Sequence, residues 1–237
     1  MEIQIKNLNF QFKNNIIFQN LNYTFQENKI YVLVGPSGVG KSTFLDLLTK
    51  SLTPSQGEVI YHGFSAQEVM TVFQNNQLFP WLKVIDALRL PLKIQKVAKE
   101  QQITKVKTLL EDLNLTPLAE QKVATLSGGQ AQRVAIGQGL VVKPSFLCLD
   151  EPTSSLDMES KEEIQRLILQ EQKKHGNTLF IVTHDIEEAA FLGDEILLIR
   201  NQQLHPLTNP TKTLRERRDS LDFYEFCIQL RKEVRRR

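Results

Sequence analysis

The sequence predicts an α/β fold: a mostly parallel sheet with an antiparallel β edge and an inserted helical subdomain. Three observations carry this. Short strand-like runs alternate with helical runs along most of the chain. The N-terminal strands alternate apolar with polar residues, as a half-exposed antiparallel edge does. Between residues 75 and 144 a helical period of apolar residues replaces the strand pattern.

In chain order, strands are expected at Glu2–Leu8, Leu21–Phe25, Ile30–Val34, Val69–Phe73, Phe146–Asp150, Thr178–Val182 and Glu195–Ile199. Phe146–Asp150 (FLCLD) and Thr178–Val182 (TLFIV) are near-continuous apolar runs, the signature of strands buried on both faces. A helix is expected over Lys99–Leu113, with Ile103, Val106, Leu109, Leu110 and Leu113 on one stripe. Residues 201–219, with Pro206 and Pro210, read as a polar linker to a last helix, Leu221–Val234, whose Phe223, Cys227, Leu230 and Val234 fall at helical spacing. The organisation is a single domain over 1–237, with a core lobe at 1–74 and 145–210, a helical lobe at 75–144 and a C-terminal helical tail at 211–237.

Composition excludes several classes. Of 237 residues, 24% are charged and the net charge is +2, an ordinary globular balance. No apolar run approaches the roughly 18 residues of a spanning helix, and the first residues, MEIQIKNLNF, lack the apolar core of a signal peptide. A cytoplasmic protein, peripheral to a membrane if it works there, is expected. Two cysteines, Cys148 and Cys227, make no disulfide framework, and Cys148 between two leucines reads as a core thiol. Residues 211–237 hold nine Lys or Arg against five Asp or Glu, a net +4 that leaves −2 for the rest. No nucleic-acid partner is indicated outside that tail. Its terminal arginines, Arg235–Arg237, suit either anionic lipid headgroups or a solvated end.

The sharpest motif is Gly35-Pro36-Ser37-Gly38-Val39-Gly40-Lys41-Ser42-Thr43, which fits G-x-x-x-x-G-K-[ST], with a strand leading in and a helix leading out. This is the phosphate-binding loop of a P-loop NTPase core. Its glycines let successive backbone N–H groups point at phosphate oxygens, and the helix start adds partial positive charge. Lys41 is placed to reach the β- and γ-phosphates of ATP, and the Ser42 hydroxyl to bind Mg²⁺. Phe146–Asp150 ends in two adjacent carboxylates, Asp150 and Glu151. Asp150 suits Mg²⁺, directly or through water, and Glu151, at the carboxyl end of a central strand, suits a general base acting on water. A second helix start, Leu126-Ser127-Gly128-Gly129-Gln130, combines a good N-cap with two glycines and makes a second phosphate-grasping end. One P-loop already wraps most of a nucleotide, so this end is expected to act on ATP held by another subunit.

With LSGGQ in place the sequence resembles the ABC transporter ATPases over nearly its full length. The resemblance implies further roles. Gln74 matches the glutamine that contacts Mg²⁺ and water. Asp157, in Ser155-Leu156-Asp157, matches the D-loop, and His184 the switch histidine at the γ-phosphate. Phe12 matches the aromatic that stacks on adenine, where the family more often has Tyr, and a plain core role is the other reading of it. The resemblance also implies a head-to-tail pair of cassettes, most simply a homodimer, beneath transmembrane permease subunits and, indirectly, a substrate-binding protein. The segment Leu78-Phe79-Pro80-Trp81-Leu82 and the tail RERRDSLDFYEF resemble the nitrate, sulfonate and taurine importer branch, which implies import of a small anionic or organic solute. An exporter-type, lipoprotein-release or cell-division cassette is the alternative. Leu78, Phe79 and Trp81 form an apolar groove for a permease helix, or Trp81 packs within the helical lobe.

One stretch departs from the family. Where AIARAL is usual the chain reads Ala135-Ile136-Gly137-Gln138-Gly139-Leu140. Two helix-interior glycines each cost about 1 kcal/mol against Ala, so alanine at both is expected to raise the melting temperature unless the glycines serve close packing.

Overall fold

The computed structural model describes residues 2–13, 15–75, 77–213 and 217–236. Among these, nine strands form two sheets. β1 (Glu2–Phe12), β2 (Asn15–Gln26) and β4 (Gln56–His62) make an antiparallel sheet in the order β2-β1-β4. The second sheet has the order β5-β6-β7-β3-β8-β9, from β5 (Val69–Val72), β6 (Phe146–Asp150), β7 (Thr178–Thr183), β3 (Ile30–Val34), β8 (Glu195–Arg200) and β9 (Gln203–Thr208). All its pairs are parallel except β8 with β9.

The central strands β3, β6 and β7 are buried on both faces, which their uninterrupted apolar sequences require. The two faces feed two cores. On one side Tyr31, Leu33, Cys148, Phe180 and Val182 pack against the antiparallel sheet and α1 (Lys41–Leu48), around a cluster of edge-to-face aromatics centred on Phe25. On the other side Val32, Leu147, Leu149, Leu179 and Ile181 face the remaining helices. These are α2 (Val84–Ile94), α3 (Lys99–Asp112), α4 (Gly128–Leu140), α5 (Met158–His175), α6 (Ile186–Leu192) and α7 (Leu221–Arg235).

Three expectations need correction. Gln203–Thr208 is not linker but the edge strand β9. Pro206 pairs opposite Leu197 there, and an edge strand tolerates proline because one side of its ladder has no partner. In α3 the inward stripe takes Gln102 rather than Ile103. Gln102 is buried because its amide donates to the carbonyl of Val97 at 2.7 Å, while Ile103 is half exposed. The glycines of α4 are packing devices. A Cβ on Gly137 would stand 2.6 Å from Leu88 and 2.7 Å from Leu113, and one on Gly139 would stand 2.9 Å from both Leu147 and Val72. Between them Gln138 donates to the carbonyl of Ala87 in α2 at 2.8 Å, tying the two helices together. Alanine gains about 1 kcal/mol of helix propensity, but overpacking costs about 1–3 kcal/mol, and the clash wins. Gly137→Ala is therefore expected to lower the melting temperature by about 2–4 °C for a net loss of about 1 kcal/mol. A rise in a calorimetric melt would contradict the close packing.

The C-terminal helix forms as expected. α7 buries Phe223, Phe226, Cys227 and Leu230 against α6 and its surroundings. No helix among the described residues is long and apolar enough to cross a membrane.

Candidate functional site

The strand order places four carboxyl-terminal strand ends side by side. Register puts Val34 opposite Thr183, Asp150 opposite Val182 and Val72 opposite Leu149, so β5, β6, β7 and β3 end at nearly one level. Their continuations converge there: Gln74 after β5, Asp150 and Glu151 at β6, His184 after β7, and the 35–40 loop after β3. This is where ligands bind in open α/β sheets.

The loop after β3 curls through left-handed backbone at Gly38 (φ 80°) and Gly40 (φ 110°), the latter capping α1. Gly40 is doubly constrained: apart from its φ, a Cβ there would lie 2.8 Å from Ile17. Lys41 is buried, and its ammonium donates to the carbonyls of Gly35 (2.8 Å) and Pro36 (3.0 Å). Burial lowers its pKa, against the pull of Glu151 and Asp150. Burial also raises the pKa of Asp150, reinforced by the charge of Glu151 and opposed by Lys41.

A cavity of about 410 Å³ opens over this loop. From the phosphate loop, Ser37, Gly38, Gly40, Lys41, Ser42 and Thr43 line it, and Gln74, Asp150 and Glu151 line its floor. Gly35 and Pro36 act through their carbonyls on Lys41, and Val39 lies against Gly35. The far wall comes from the first hairpin, with Phe12, Asn15 and Ile17. Phe12 is half exposed and takes the edge of Phe10 at 4.9 Å between ring centres, so it faces the cavity rather than the core. Asn15 and Ile17 went unnoticed in the sequence. The signal for them is an adjacent apolar pair, Ile16-Ile17, of which Ile16 is exposed and Ile17 half-buried.

Glu151 has φ +48°, a left-handed backbone that is rare for a non-glycine residue and costs of order 1–3 kcal/mol. Its N–H is held by the carbonyl of Val182 at 2.8 Å. One carboxylate oxygen accepts from the Gln74 amide at 3.0 Å, and the other lies 3.0 Å from His184 Nδ1. The carboxylate is thereby aimed into the cavity by partners on two other strands.

Ser127, Gly128, Gly129, Gln130 and Asp157 do not line this cavity. Ser127 caps α4 with a reciprocal capping box: it accepts from the Gln130 N–H at 3.3 Å, and Gln130 accepts from the Ser127 N–H at 3.0 Å. The helix start at Ser127 and Gly128 is exposed, while Gly129 packs on Ser160. Asp157 caps α5, accepting from Ser160 through both its N–H (2.9 Å) and its hydroxyl (2.8 Å), bonds that lower its pKa. Phe79 and Trp81 stand on the surface with rings 5.2 Å apart, and Trp81 is 67% exposed, which removes the reading that it packs within the helical lobe.

Oxygen donors suited to a small hard cation meet in the cavity: the Ser42 hydroxyl, the Asp150 carboxylate and, because the Gln74 nitrogen is engaged by Glu151, the Gln74 carbonyl oxygen. No cluster of three or more His, Cys, Asp or Glu fit for a metal occurs among the described residues. That donor set fits Mg²⁺, which keeps waters and takes substrate phosphates rather than an all-protein cage.

Known proteins point the same way. The family described as ABC transporter matches residues 18–154. The taurine import ATP-binding protein TauB of Pseudomonas aeruginosa is 40% identical over 172 residues, covering 71% of this chain and 65% of that protein. The spermidine/putrescine import ATP-binding protein PotA of Borreliella afzelii is 34% identical over 223 residues, covering 90% of this chain and 64% of that protein. The chain thus spans just under two thirds of the length of these relatives. Among solved structures, cbiO1 from Clostridium perfringens, part of the ABC transporter complex cbiONQ, superposes with a TM-score of 0.82 at 26% identity, covering 97% of this chain and 98% of that one. A dimeric post-hydrolysis state of the ATP-binding cassette MJ0796 bound to ADP and Pi gives 0.74 at 28% identity, covering 87% and 98%. With a family match over more than half its length, and relatives this similar over most of it, the chain belongs to the ABC transporter family.

Proposed function

We propose that this chain is the ATP-hydrolysing subunit of an ABC importer, working as a pair beneath permease subunits on the cytoplasmic face of a membrane. One observation carries the reading. Glu151, held 3.0 Å from both Gln74 and His184, faces a phosphate-loop cavity that the serine-led start of α4 does not line. In this reading Lys41 and the loop N–H groups, which Pro36 lacks, bind the β- and γ-phosphates, and Phe12 with Ile17 flanks the adenine. Ser127, Gly128, Gly129 and Gln130 of a second copy close the same nucleotide from the other side, with Asp157 at the shared surface. Glu151 accepts the proton of the attacking water, and Gln74 and His184 keep its carboxylate aimed. Ser42, Asp150 and Gln74 would hold Mg²⁺, which supplies charge neutralisation at the phosphates. In the same reading 1–237 belong to one cassette, with the helices of 75–144 as the lobe toward the membrane.

The relatives named for taurine and for spermidine or putrescine carry cargo of different charge, which fits a motor whose cargo is chosen by other subunits. We take the LFPWL segment and the 40% identity to a taurine cassette as support for a small anionic or organic solute, such as a sulfonate or nitrate, delivered through a substrate-binding protein. Phe79 and Trp81 form the apolar contact for a permease helix. Aromatic anchors of this kind are worth about 2 kcal/mol or more. Phe79→Ala/Trp81→Ala is therefore expected to weaken co-purification with the permease about 30-fold or more. Hydrolysis by the isolated chain should stay within about twofold of wild type. Retained permease binding would overturn the docking assignment.

A further inference from the structure

The segment before α7 reaches back into the catalytic lobe through Arg218, among other contacts. Arg218 comes from a short 3₁₀ turn, Arg217–Asp219. Its guanidinium lies over the Phe191 ring at 4.2 Å, pairs with Glu162 at 3.2 Å, and donates to the side-chain carbonyl of Gln165. Gln165 is fully buried in α5. Its amide nitrogen donates to Glu188 Oε1 at 3.3 Å, and the same oxygen accepts from the Thr153 hydroxyl at 2.5 Å. Glu188 and Thr153 are themselves buried. Thr153 stands two residues after Glu151, in a turn closed by the Ser154 N–H on the Glu151 carbonyl at 3.3 Å. Glu188 is on α6, whose N-cap, Asp185, directly follows His184. Burial disfavours the Asp185 charge, but the Lys161 ammonium and the N–H groups of Glu187 and Glu188 outweigh it and hold the pKa low.

The direction of these bonds matters. A glutamine amide presents an acceptor at one end and donors at the other. Arg218 can only donate, so it fixes the Gln165 oxygen outward and its nitrogen toward Glu188. Without Arg218 the buried Gln165 oxygen is left without that donor, which favours rotamers that withdraw the amide from Glu188. Glu188 then loses a donor in a place where water does not replace it. Its hold on Thr153, and with it the turn that fixes the strained backbone of Glu151, slackens.

We propose that Arg218 is a positioning residue for ATP hydrolysis, acting through the Gln165 amide and Glu188 on the Thr153 turn beside Glu151. The proposal rests on the role assigned to Glu151 above. It gives the C-terminal segment a hold on the rate of hydrolysis without any contact with nucleotide.

The test is steady-state ATP hydrolysis by the full chain. Arg218→Ala and Arg218→Met are expected to lower kcat about three- to tenfold with KM for ATP within twofold, and Arg218→Lys, which keeps a donor, to recover most of the loss. Gln165→Met removes the amide altogether. On that background Arg218→Ala should lower kcat no further, whereas a general loosening of the tail would lower it again. Unchanged kcat in Arg218→Ala, a change confined to KM, or losses that multiply in the double variant would each overturn the proposal. Glu151→Gln is measured in the same assay. If it abolishes turnover while Arg218→Ala has no effect, the positioning role alone fails. If Glu151→Gln turns over normally, both the base assignment and this inference fall.

Discussion

Glu151→Gln should reduce ATP turnover by about 10²–10⁴-fold while leaving nucleotide binding intact, the range expected for loss of a positioned general base. The substitution is nearly isosteric. An amide with its oxygen toward the Gln74 nitrogen and its own NH2 donating to His184 Nδ1 keeps both 3.0 Å contacts, so the cavity keeps its shape and only proton acceptance is lost. Asp150 and Lys41 remain, so the groups proposed to hold the cation and the phosphates still line the cavity. Glu151→Gly is the informative companion. It relieves a φ of +48°, a strain of order 1–3 kcal/mol, and should therefore match or exceed the wild-type melting temperature while turning over no faster than Glu151→Gln. Stability gained together with activity lost would mark the backbone at this residue as strained for function. Single-turnover hydrolysis and a thermal melt on the three proteins check this, and near-normal turnover in Glu151→Gln would remove the base from this site.

Much of this site is legible in the sequence because its parts are local. The phosphate loop, the apolar strand ending in two carboxylates and the capped LSGGQ helix each need only a few adjacent residues to be recognised, and each forms in the structure where its pattern stands. The same holds for the buried strands β3, β6 and β7, whose apolar runs admit only two-sided burial. What escaped depends on distant partners. β4 has an exposed first half with Gly57 near its start, and it exists as a strand because β1 lies beside it. β9 contains a proline and as many polar as apolar residues, and its pairing with β8 makes it a strand. Gln102 displaces Ile103 inward because a carbonyl five residues earlier satisfies it. The α4 glycines look like helix breakers until Leu88, Leu113, Leu147 and Val72 are seen against them. The Arg218 connection joins residues 53 positions apart, and no local pattern announces it.

The central claim is that nucleotide is held between two copies, the phosphate loop of one against the helix start at Ser127 of the other. Within one chain these surfaces do not share a cavity, so neither completes the other's site alone. Ser37 and Gln130 mark the two surfaces, and the native thiols Cys148 and Cys227 are both buried, which keeps background coupling low. The direct measurement is oxidative crosslinking of Ser37→Cys/Gln130→Cys in the Glu151→Gln background, with and without ATP. The account predicts a covalent two-chain species that needs both cysteines and appears only with ATP. A protein that stays single-chain at saturating ATP, with nucleotide demonstrably bound, would contradict it.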